Sequence, residues 1–147
     1  MHDIARDQRY KATSPAGDSS RLALWVGRGL SWFAALFLLA DSTGKLIQPQ
    51  PVIDGTVQLG YQPDIMLTLG ILELACVLIY LGPRTSVLGA VLLTGYLGGA
   101  VATHVRVGNP LFTHVLFPTY VGALLWSGLI VRDEALRAFL PVRRAHE

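Results

Sequence analysis

Four long apolar runs alternate with short polar or turn-forming stretches along this chain of 147 residues. The first extends from Leu22 to Leu39 and can be carried on to Lys45. The second is Ile65 to Leu81, closed by Gly82 and Pro83. The third is Val87 to Val105 and the fourth Leu111 to Val131. Each has about the 17–25 residues that a helix needs to cross a hydrocarbon layer. Helices and closed barrels are the two ways to satisfy a backbone in lipid, and the weak alternation of barrel strands is absent. Short loops make successive helices antiparallel neighbours. The pattern predicts an all-α fold, an up-down-up-down bundle of four transmembrane helices over residues 21–140.

The flanks are polar. Residues 1–20 read as a disordered cytoplasmic tail and 141–147 as a second one. A signal peptide is not expected, because the first apolar run starts late and no small-residue cleavage pattern closes it before Asp41. The longest loop, Ile47 to Asp64, is rich in Pro and Gly. Val52, Ile53, Val57 and Leu59 recur at near-helical spacing, which fits either a short amphipathic segment on the outer face or an irregular loop. After Arg132 an amphipathic turn or two should follow, with Leu136, Phe139 and Leu140 towards the membrane surface. Arg143 and Arg144 would then reach anionic headgroups.

Composition agrees with this pattern. Hydrophobic residues make up 52% and charged residues 15%, too little charged surface for a soluble domain this short. The formal charge is +2 and the basic residues are scattered, so no nucleic-acid partner is expected. Arg6, Arg9, Lys11, Arg21, Arg84, Arg132, Arg137, Arg143 and Arg144 fall on one side of the predicted bundle, and Lys45 and Arg106 on the other. Basic residues gather on the cytoplasmic side, so both termini are expected there. The single cysteine, Cys76, excludes an internal disulfide and a CxxC pair, and reads as a small core residue.

Polar residues within the spans carry the candidate chemistry. Glu73 lies near the middle of the second run, where a carboxylate is costly and usually faces a bundle interior. Helical spacing aligns it with Gly70, Val77 and Tyr80, beside Met66 and Cys76. It is either a ligand or proton site, or a structural carboxyl that pins helices together. Arg28 is the deepest cation of the first run. It either pairs with Glu73 or snorkels to the headgroups. Asp41 and Lys45 stand four residues apart and can pair on one helix face. Tyr96 supplies a hydroxyl from the third run. Gly95 and Gly99 form a GxxxG there, which can seat a helix of the same bundle, form a dimer face or leave room for a ligand. Asp41, Lys45, His104, Arg106 and His114 should gather at the outer mouth of the bundle. Two His and one Asp there match no recognised zinc spacing, so no metal is expected.

Four stretches resemble the DoxX-like family of small bacterial membrane proteins: WVGRGLSWFAALFLLADSTGKL (Trp25 to Leu46), LGYQPD (Leu59 to Asp64), LGILEL (Leu69 to Leu74) and PRTSVLGAVLLTGYLGGAVATHVRVG (Pro83 to Gly108). The last is the most specific. The resemblance covers about residues 22–140. It implies a four-helix bundle in the bacterial inner membrane and points to Glu73, Lys45 and His104. The family is named from a subunit of an archaeal thiosulfate:quinone oxidoreductase, and a eukaryotic chaperone of nicotinic receptors looks distantly related. The superfamily is similar in fold to the vitamin K epoxide reductase bundle, whose cysteine pairs this chain lacks. The expectation is a redox-linked subunit that binds a quinone or other lipid-like molecule, with membrane lipids and a redox partner protein around it, or a homo-oligomer. The alternatives are a non-catalytic assembly factor or chaperone and, third, a small-solute transporter.

Overall fold

A computed structural model describes residues 16–139. The expectations for the remaining N-terminal and C-terminal residues, including the lipid contacts of Leu140, Arg143 and Arg144, lie outside the described residues. The described chain is helical, and no strand occurs among the described residues.

Helix α1 spans Ala16–Ile47. It therefore starts inside the segment read as a tail and carries the first apolar run through Lys45. Its 32 residues extend about 48 Å at 1.5 Å per residue, longer than a hydrocarbon core of about 30 Å. It ends where Gln48 takes a φ of 55° and donates its amide to the Gly44 carbonyl at 2.9 Å. That left-handed turn terminates a helix, and Pro49 follows directly.

The long loop forms a short helix, α2 (Gln50–Gln58), with proline in its first turn and no buried residue. Gly60, at φ 76°, turns the chain towards α3 (Ile65–Leu81). The buried positions of α3 are Met66, Gly70, Glu73, Cys76, Val77 and Tyr80. These are the stripe and flanking residues that helical spacing predicts. Thr85 closes the helix by donating its hydroxyl to the Ile79 carbonyl at 2.7 Å. Helix α4 follows over Ser86–Arg106.

The fourth apolar run is not one continuous α-helix. Leu111–Val115 forms a π-helical turn, and α5 starts afresh at Phe117–Arg132. Pro118 explains the division. Inside a helix it would remove a hydrogen bond and clash with the preceding turn, whereas in a first turn it is tolerated. The Val115 and Leu116 amides reach back five residues instead, to Pro110 at 3.2 Å and Leu111 at 2.9 Å. A last short helix, α6, is Glu134–Phe139. Asp133 caps it by accepting the Leu136 amide at 3.0 Å. Leu136 packs against the hydrophobic core.

The four apolar helices pack in a ring. Helix α1 lies against α3 and α5, and α4 lies against the same two. The centre holds Ala35, Leu38, Val77, Tyr80, Ala90, Leu93, Leu125 and Leu129. Cys76 is part of this core. The outward faces are apolar too, with Trp32, Phe33, Leu36, Leu72, Leu78 and Val91 exposed. Monomeric soluble proteins rarely expose contiguous apolar surface on this scale. Three segments, Arg21–Ile47, Ser86–Arg106 and Leu111–Arg132, are long and apolar enough to cross a membrane, and Ile65–Leu81 is a shorter apolar helix.

Glycines decide where the helices come closest. A Cβ on Gly89 would lie 2.2 Å from the Tyr80 amide nitrogen, and one on Gly128 would lie 2.7 Å from that of Ser31. A Cβ on Gly70 would lie 3.0 Å from Lys45 Cβ and 3.2 Å from the Ser42 carbonyl oxygen. Among the described residues the GxxxG of α4 has no such role. Added Cβ atoms at Gly95, Gly98 and Gly99 meet nothing within 4 Å. Gly89, one turn into α4, seats the neighbouring helix instead.

Candidate functional site

Gly70 is the start of the site. With no side chain there, α1 settles against α3 beside Lys45. Glu73 stands three residues further along α3, on the same face. Lys45 Nζ then donates to Glu73 Oε2 at 2.7 Å. Tyr96, from α4, donates its hydroxyl to the same oxygen at 3.0 Å. The Lys45 ammonium also lies 5.6 Å from the centre of the Tyr96 ring. One turn back on α1, Asp41 pairs with Lys45.

Asp41, Lys45 and Glu73 make a graded chain from surface to interior. The Asp41 side chain is 44% exposed, Lys45 19% and Glu73 0%. Two carboxylates share one ammonium. Glu73 Oε2 has two donors, while Oε1 is buried with no hydrogen-bond partner among the described residues. A buried acceptor left open is costly, about 1–3 kcal/mol and more for a charged group. A proton or a donor group from a ligand at Oε1 would satisfy it, and a proton would also bring the trio to neutrality.

Arg28 is not the partner of Glu73. It is exposed and lies over the Trp25 ring, 5.5 Å from its centre. The reason is helical rise. Seventeen residues separate Arg28 from Lys45, about 25 Å along α1, and the Gly70 contact brings the Lys45 end to Glu73.

The expected ring of five residues at the outer mouth divides into three groups. Asp41 and Lys45 turn to each other and to Glu73. His104 and His114 pack edge to face, ring centres 5.8 Å apart. Arg106 turns to the loop, donating to the Leu59 carbonyl at 2.6 Å and covering the Tyr61 ring at 5.6 Å. Among the described residues no three or more His, Cys, Asp or Glu side chains gather as a metal site.

Sequence reasoning missed Tyr61 and Thr103, whose hydroxyl oxygens lie 2.7 Å apart. They tie the loop to α4. Thr103 is seven residues from Tyr96, and therefore on nearly the same helix face; that spacing was the available signal. Also missed was the partner set of Tyr80. Its buried hydroxyl lies 2.9 Å from Ser31 Oγ and 3.1 Å from the Leu125 carbonyl oxygen. Arg132 covers its ring at 5.4 Å.

A family model described as the DoxX-like family matches residues 29–128. No curated protein and no solved structure matches the chain. The match covers the core of all four apolar helices, and the chain belongs to the DoxX-like family. Family and apolar helices together identify a membrane protein with transmembrane helices.

Proposed function

We propose that this DoxX-like protein binds a quinone or other lipid-like small molecule beside Glu73, as a redox-linked subunit of the bacterial inner membrane. In this reading all four apolar helices cross the bilayer, up-down-up-down, with both termini cytoplasmic. The excess of Lys and Arg on that side supports the orientation. The observation that carries the ligand is Glu73 Oε1, wholly buried and without a partner among the described residues. Lys45 and Tyr96 converge on its twin oxygen. A quinone-type ring needs hydrogen-bonding groups at its oxygens and a nearby proton source. Lys45, Tyr96 and Glu73 supply both, and a redox partner protein would supply electrons. Purification in mild detergent followed by extraction, mass spectrometry and ultraviolet absorbance tests this. A stoichiometric apolar ligand, lost in Glu73→Leu, is expected. A ligand-free protein at full occupancy of the fold would overturn it.

A second reading is a non-catalytic assembly factor or chaperone. The open face of α4 at Gly95, Gly98 and Gly99 favours it, since small residues let another transmembrane helix approach closely. In the same purification this reading expects a defined membrane protein to copurify, and Gly95→Leu to release it while any bound ligand stays.

A further inference from the structure

We propose that His104 and His114 form a two-imidazole site for a transition-metal ion, with Cu2+ preferred and Zn2+ second. The two rings come from different elements, the last turn of α4 and the π-helical turn. Gly108, at φ 71°, reverses the chain between them. The Asn109 amide then bonds back to the His104 carbonyl at 3.1 Å. Ring centres end 5.8 Å apart, with the planes at 63°.

That separation suits a shared ion. With metal–nitrogen distances of about 2.0–2.1 Å, two imidazoles on one ion have centres roughly 4.5 Å apart at the right angles of a tetragonal Cu2+ site and roughly 5 Å apart at tetrahedral angles. His114 is exposed, so a modest turn of its ring closes the difference. The nitrogens are also divided as such a site requires. His104 Nδ1 lies 2.8 Å from Asn109 Nδ2, and His114 Nδ1 lies 2.8 Å from Thr113 Oγ1. Neither Nε2 has a hydrogen bond among the described residues. A ligating imidazole commonly gives its other N–H to a neighbouring acceptor, which fixes tautomer and ring plane. Thr113 Oγ1 can accept from His114. Asn109 can accept from His104 with its amide turned to present Oδ1, an orientation that heavy atoms alone do not decide.

Arg106, two residues from His104, keeps its positive charge but turns its guanidinium to the Leu59 carbonyl and the Tyr61 ring. Neutral imidazoles suit Zn2+, Ni2+ and Cu2+, and the ordinary affinity order places Cu2+ first. Two protein ligands leave the other positions to water or a small ligand, so the ion should exchange.

The chain has four histidines. The test uses the full chain in detergent with His2→Ala and His146→Ala, leaving His104 and His114. Calorimetric titration with Cu2+ alone should give one ion per chain, and electron paramagnetic resonance should show two imidazole nitrogens on it. Zn2+ should compete more weakly. His104→Ala and His114→Ala should each lower Cu2+ affinity by more than about tenfold, with the metal-free melting curves unchanged. The resonance measurement on unreplaced His104 and His114 stands even if a variant folds poorly. A single coordinated imidazole, or affinity that survives either replacement, would overturn the proposal.

Discussion

Lys45 and Glu73 are separated by 28 residues and meet at 2.7 Å, because Gly70 lets their helices touch one turn away. The backbone approach comes first and the ion pair depends on it. Gly70→Leu would place its side chain against Lys45 Cβ, Leu46 and the Ser42 carbonyl. Overpacking of this kind costs about 1–3 kcal/mol, so the melting temperature in detergent should fall clearly. Gly95→Leu, which meets open space, should leave it nearly unchanged. Equal effects of the two would refute the packing role of Gly70.

The pair itself should behave as a unit. Lys45→Met leaves Glu73 and Asp41 without their shared cation, and breaking a buried pair from one side costs about 3–5 kcal/mol. Lys45→Met with Glu73→Leu should recover most of that loss. Arg28→Leu should be close to neutral, because Arg28 stacks on exposed Trp25. A double-mutant cycle on thermal stability measures the coupling. Strong coupling between Arg28 and Glu73, with none for Lys45, would contradict the site.

Tyr80 ties three helices through one hydroxyl, near Ser31 of α1 and the Leu125 carbonyl of α5. Tyr80→Phe should destabilise by about 1–3 kcal/mol, since buried acceptors are left without a donor. Gly89→Ala should be far worse, because its Cβ would overlap the Tyr80 backbone. Folded yield and melting temperature compare the two. A well-folded Gly89→Ala protein would show that α3 and α4 do not approach this closely.

Arg106 and Tyr61 hold the loop that carries α2, a helix with no buried residue of its own. An element with so few apolar contacts opens easily once its polar ties are removed. Arg106→Ala should therefore speed amide hydrogen exchange across Gln50–Gln58 without lowering the global melting temperature by more than a few degrees. Unchanged exchange in that segment would show that the tie is incidental.

Orientation can be checked by labelling in a Cys76→Ala background. A cysteine introduced at Asp54 should react with a membrane-impermeant reagent added to intact cells, and one at Gln8 should react after lysis alone. The opposite pattern would reverse the proposed topology.

The apolar runs are local properties, and local properties were legible. Run lengths place α3 at Ile65–Leu81, and period alone identifies the face that buries Glu73 and Tyr80. Three features needed the assembled chain. Choosing Lys45 over Arg28 for Glu73 depended on which turn of α1 touches Gly70, a matter of helix register that no single-helix pattern contains. The choice of Gly89 over the GxxxG as the packing glycine depended on where the neighbouring backbone lies. The sequence placed His104 and His114 at one mouth of the bundle, but their ring-to-ring contact followed from the reversal at Gly108 and the break before Pro118. Hydrophobic periodicity says which face turns inward, because burial is set residue by residue. It does not say which residue lies opposite, because that is set by contact between helices distant in sequence.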